Sequence, residues 1–174
     1  MREKYNVVIG IYRQPMDTNV AKEESINRIL RKLQEELQED FAGRDAEIAF
    51  VFTEGIYGVC DARGFYKMDS NFYYTDYVNK TAPLSSIWNM GMAILEQKEK
   101  EDEENGFESN NRFYFLTDHW FGTAECQRSQ AVMRSDRFAN RNFDICLVKT
   151  DENCGNAAFE SYIEDELKGS ICLE

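Results

Sequence analysis

Asp118 and His119 stand side by side at the end of the apolar run RFYFLTDHW, and His119 is the only histidine in the chain. A carboxylate next to an imidazole suggests acid–base work, and Cys126 a few residues on could complete a Cys-His-Asp set for nucleophilic hydrolysis. Strand geometry opposes that set: neighbouring residues on a strand point to opposite faces, so Asp118 cannot orient His119. Asp118 could instead accept a phosphoryl group at a strand end with magnesium. The paired acidic residues that would hold such a metal are missing after the first apolar run. Phosphate-cradling glycine loops are missing as well, since the first run leads into YRQPMD where a dinucleotide fold would place GxGxxG, and GVCDARGF lacks the Walker lysine. What remains is a binding surface. Trp120 and Phe121 follow His119 directly, and aromatic side chains give a protein partner large contact area at low entropic cost.

The elements that must carry these residues alternate in period. YNVVIGIY (5–12) is a short β-rich apolar run of the kind buried on both faces of a sheet. From about residue 19 to 40 the period changes: Ile26, Ile29, Leu30, Leu33 and Leu37 recur at three and four, which predicts a helix with one apolar face. AEIAFVFTE (46–54) returns to strand length, and Gly55, Gly58 and Gly64 then predict a hairpin or edge strand. Pro83 opens a second predicted helix, to about residue 100, with Leu84, Ile87, Trp88, Met92 and Leu95 on its apolar face. RFYFLTD and FDICLVKT (143–150) predict two further strands, with a short helix between them near 126–138 and a closing helix over about 156–167. The aromatic residues Phe72, Tyr73, Tyr74 and Tyr77 lie in a loop and lack the basic neighbours that a single-stranded nucleic acid groove needs.

Nearly continuous apolar strands alternating with helices predict an α/β fold, a doubly wound, mainly parallel sheet with helices on both faces. Its binding crevice would lie outside the carboxyl ends of the strands. The residues placed there are Tyr12 to Thr18, Thr53 and Glu54, Thr117 to His119, and Lys149 to Asp151.

The chain of 174 residues suits one domain, and no composition break or repeat divides it. Hydrophobic residues at 43% support a packed interior despite a net charge of −12. That charge disfavours nucleic acid phosphates and anionic lipid, and favours a basic partner or a cation. Much of the acid falls in EQKEKEDEEN (96–105) and from Glu160 to Glu174, read as a solvated helix end and a solvated tail. Five scattered cysteines match neither a zinc site nor a disulfide framework. No signal sequence and no membrane span is read in the chain. These features predict a cytoplasmic protein with its thiols reduced.

The succession of NVVIGIY, ESINRILRKLQEEL, AEIAFVFTE, KTAPLSSIWNMGMAI and FYFLTD resembles a von Willebrand factor A (vWA) domain, most of all the compact bacterial members of that superfamily. The resemblance spans most of the chain and implies a Rossmann-like three-layer sandwich acting as a protein-binding module. In that family Mg2+ sits above the sheet on oxygens from three loops: a DxSxS motif, a threonine before the helix that opens TPLxxAL, and the aspartate of LLTDG. By this resemblance Thr81 in KTAPLSSIW matches the threonine and Asp118 in FYFLTDHW matches the aspartate. The first loop departs from the pattern. IYRQPMDTN puts Ile11 at the aspartate position and Arg13 and Pro15 at the serines, and neither an apolar side chain nor a guanidinium coordinates a cation. The resemblance therefore implies a degenerate adhesion site with no metal and no other cofactor. Tyr12, Arg13, Gln14, Asp17, Thr18, Thr81, Asp118, His119 and Trp120 form the predicted partner surface, with Arg13 standing in for the missing charge. The alternative is Mg2+ held in a shifted arrangement by Asp17, Thr81 and Asp118.

Overall fold

The computed structural model describes residues 2–12, 20–54, 59–68, 84–117, 120, 122–135, 143–150 and 152–173, with backbone alone at 20–25, 52–54 and 59–64. At its centre runs β1 (Arg2–Tyr12), whose Val7, Val8, Ile9 and Ile11 are all buried because both faces of the strand are covered. It pairs in parallel with β2 (Ala46–Glu54) on one side and β4 (Phe107–Thr117) on the other. β3 (Val59–Lys67) closes one edge antiparallel to β2, as the glycine-marked hairpin predicts. β5 (Phe143–Lys149) and β6 (Ser170–Leu173) extend the other edge in parallel, so the order is β3-β2-β1-β4-β5-β6.

α1 (Val20–Asp40) covers one face of this sheet with the predicted residues Ile26, Ile29, Leu30, Leu33 and Leu37. Each such burial is worth roughly 1.5–3 kcal/mol, which is what holds a helix this charged against the sheet. α2 (Leu84–Glu104), α3 (Thr123–Met133) and α4 (Ala157–Asp165) pack on the other face. There Trp88 lies stacked on Phe113 at 4.8 Å and on Phe115 at 5.0 Å, with Phe159 meeting it edge-on at 5.9 Å. The result is the predicted α/β sandwich of three layers, helices on both faces of a mainly parallel sheet. No described helix is long and apolar enough to cross a membrane.

Two expectations need correction. The acidic tail is not wholly solvated, because Ser170–Leu173 forms β6 on the edge of the sheet. A run of four residues beside acid has too little periodicity to announce a strand. The core strands also begin earlier than their apolar runs: Arg2, Glu3 and Lys4 pair with Phe107, Glu108 and Ser109.

Those polar strand starts support an ionic cluster at the amino end of the sheet. Asp102 on α2 is only 2% exposed, and its Oδ2 accepts from Asn6 Nδ2 and Ser109 Oγ, each at 2.7 Å. Lys4 and Lys98 approach its Oδ1 at 3.7 Å, and Lys98 also donates to Glu47 at 2.7 Å. Two cations and two anions thus balance. Burial alone would lower the Lys98 ammonium, but Glu47 and Asp102 hold it above its ordinary value. This end of α2 is pinned, and the opposite end faces the crevice.

Candidate partner-binding face

Strand order reverses between β1 and β4, so the crevice of a doubly wound sheet lies above their carboxyl ends. Their last residues, Tyr12 and Thr117, are paired across the ladder. Thr117 is fully buried, and its carbonyl accepts from the backbone of Thr150 just past β5 at 3.2 Å. Tyr12 is 6% exposed, with its ring stacked on Phe115 at 6.3 Å. It forms the floor of the crevice and not its presented rim.

The rim is built by α2 and α3. The first four N–H groups of a helix lack partners inside it. At α2 one of them, the Leu84 N–H, donates to Glu125 Oε2 at 2.8 Å, and a carboxylate is also favoured at this end of the helix dipole. Arg128, one turn on in α3, donates to the other oxygen of Glu125. Sequence reasoning passed over Glu125, because a side chain that caps a different helix has no local signature. Its charge acts inward. The Tyr12 phenol is pushed up to about 12 by burial and then by Glu125 and Cys126, and the Cys126 thiol to about 11 by burial and then by Glu125. Cys126 is therefore a buried, protonated thiol at neutral pH and a poor nucleophile.

Trp120 is 56% exposed, the most open large apolar side chain among the described residues. An isolated parallel bridge to Gly155 ties its backbone between the ends of β4 and α4. Gly155 has φ +86°, a conformation that suits glycine. Beside it Lys149 donates to Glu160 at 2.7 Å, which fastens β5 to α4 under this corner. The remaining predicted surface residues, Arg13, Gln14, Asp17, Thr18, Thr81, Asp118 and His119, lie outside the described residues, as do Phe121, Asp151 and the aromatic loop from Phe72 to Tyr77.

Ile11 is buried in the core under α1, so the position that the resemblance matches to the family's first aspartate carries an apolar side chain packed inside. Among the described residues no group of three histidine, cysteine or acidic side chains could hold a metal.

No protein-family model matches this chain, and no curated protein does. Solved structures do match. The crystal structure of the TFIIH p34 N-terminal domain aligns with a TM-score of 0.67 over 99% of this chain and 91% of that one, at 9% identity. That likeness fits the vWA-like fold that the sequence resembles. A pilus adhesin, SpaC from Lactobacillus rhamnosus GG in its open conformation, matches with a TM-score of 0.59 at 7% identity, over 100% of this chain and 28% of the adhesin. At such identities the likeness speaks for the fold alone. In sequence Thr81 precedes the first residue of α2, Leu84, and Asp118 follows the last residue of β4, Thr117.

Proposed function

We propose that this chain is a protein-binding module of vWA type that works without a bound metal, as a subunit or adaptor of a cytoplasmic bacterial assembly. The observation that carries the reading is Trp120, a large aromatic side chain held open to solvent at the carboxyl end of the sheet by a backbone bridge to Gly155. Exposed tryptophan is a frequent anchor of protein interfaces, where most binding energy resides in a few such side chains. Two features support the metal-free part: Ile11 faces the core, and the N-terminus of α2 already has a carboxylate partner in Glu125. In this reading the guanidinium of Arg13 takes the place of the cation's charge. A net charge of −12 suits a partner with a basic face.

A ligand that binds only the folded chain raises its unfolding temperature by mass action. The thermal midpoint is expected to be the same in EDTA and in millimolar magnesium, manganese or calcium. A rise abolished by Asp118→Ala would overturn the metal-free reading in favour of Mg2+ on Asp17, Thr81 and Asp118. The partner surface is tested separately, by affinity capture and quantitative mass spectrometry. Trp120→Ala is expected to deplete specific partners at least tenfold while leaving the midpoint within about 1 °C, since an exposed side chain contributes little to folding. Unchanged capture by a folded variant would remove Trp120 from the interface.

A further inference from the structure

We propose that Cys146 and Cys172 form a reversible thiol–disulfide modification site, oxidised by a small anionic disulfide of the glutathione class. The two Sγ atoms lie 3.2 Å apart on the α1 side of the sheet, although the residues are 26 positions apart in the chain. Cys146 is buried on β5, while Cys172 on β6 is half-buried and open to attack. Cys146 pairs with Ser170 and Val148 pairs with Cys172, so the thiols are diagonal neighbours on one face.

A diagonal pair has its Cα atoms roughly 7–8 Å apart, beyond what a disulfide spans without backbone movement. Closure therefore asks for a small shift of one strand. β6 can provide it, because it is four residues long and hydrogen-bonded on one side only, at the edge of the sheet.

The second observation is the setting. Beside Cys146 lies a cavity of about 270 Å³, lined also by Arg112, Tyr114, Asp144 and Lys168 and by Ser170, which stands two positions before Cys172 on β6. Arg112 stacks over Phe41 at 5.0 Å, and its Nε lies 3.9 Å from Asp144, a weak ion pair that leaves the guanidinium able to meet another carboxylate. Two basic side chains against the single acid Asp144, in a chain of net charge −12, favour an oxidant carrying carboxylates.

The exchange balances without any other reagent. The Cys172 thiolate attacks one sulfur of the small disulfide, forming a mixed disulfide and expelling the first small thiolate. The Cys146 thiolate then attacks Cys172 Sγ, forming the internal bond and expelling the second. The protein loses two protons and two electrons, which leave as two molecules of the small thiol. The other described cysteines are placed differently: Cys126 is buried with a raised thiol, and Cys154 is buried against Thr150 Oγ1 at 3.3 Å.

The full chain should be treated with glutathione disulfide under native conditions, alkylated and mapped by mass spectrometry. The expected product has lost two hydrogens, joins the Cys146 and Cys172 peptides within one chain, and unfolds several degrees higher than the reduced form. Cys146→Ser removes the resolving thiol and is expected to accumulate a glutathione adduct at Cys172. Cys172→Ser, at the half-buried position, is expected to give neither cross-link nor adduct at Cys146. Wild-type chain whose Cys146 and Cys172 are still separately alkylated after treatment would overturn the proposal, and so would a bond to another cysteine or between chains.

Discussion

At the floor of the crevice a phenol and a thiol, Tyr12 and Cys126, keep their protons up to about 12 and about 11, because burial penalises the charged forms and Glu125 repels further negative charge. In the unfolded chain both ionise near their ordinary values, the thiol first and the phenol near 10. Their contribution to stability is thus fully present below about pH 8 and is lost as pH rises through the window up to about 12, since the unfolded state sheds protons that the folded state retains. Urea unfolding at intervals from neutral pH to about pH 11 is expected to show a fall of roughly 3 kcal/mol from these two groups together. In Tyr12→Phe the fall should be smaller by about 1 kcal/mol at the same pH, whatever the variant's stability at neutrality. Equal slopes in the two proteins would show that the Tyr12 phenol does not titrate abnormally.

Among the elements, α2 is held at three points: its entrance by Glu125, its far end by the Asp102 cluster, and its middle by close approach to the sheet. Gly91 makes that approach possible. A Cβ there would lie 1.8 Å from Phe113 Cε2, and Phe113 is fully buried in its stack with Trp88. Alanine gains about 1 kcal/mol of helix propensity over glycine, while overpacking a filled core costs about 1–3 kcal/mol and more when the neighbour cannot turn aside. At this separation the clash wins. Gly91→Ala is expected to lower stability by roughly 2 kcal/mol, measured as the urea midpoint against wild type. The helices and central strands were legible in sequence because burial on one or both faces writes a period into the chain, as at Ile26 to Leu37 and at Val7 to Ile11. β6, the polar starts of β1 and β4, and the Glu125 cap were not, because each depends on a partner distant in sequence. The same holds for Cys146 and Cys172, which looked scattered until β5 and β6 lay side by side. Of the predicted surface, Tyr12 is buried and Trp120 exposed. The motif matches at Thr81 and Asp118 lie outside the described residues.

At the scale of the whole molecule, the six strands divide the interior into two apolar layers with separate memberships, one under α1 and one under α2, α3 and α4. Leu30 belongs to the first and Phe159 to the second, and both are almost wholly buried. Leu30→Ala should cost roughly 2–5 kcal/mol through the cavity it leaves, and Phe159→Leu should cost less because most of the volume stays filled. The two sites share no packing partner, so the double variant's loss is expected to equal the sum of the single losses within about 0.5 kcal/mol. Chemical denaturation of the four proteins closes that cycle, and a larger coupling would mean that the sheet relays strain from one side to the other. With the layers insulated in this way, substitutions can accumulate beneath α1 without retuning the layer that supports Trp120. The two sides of the molecule are then able to evolve at different rates, one answering to its partner and the other only to the stability of the sheet.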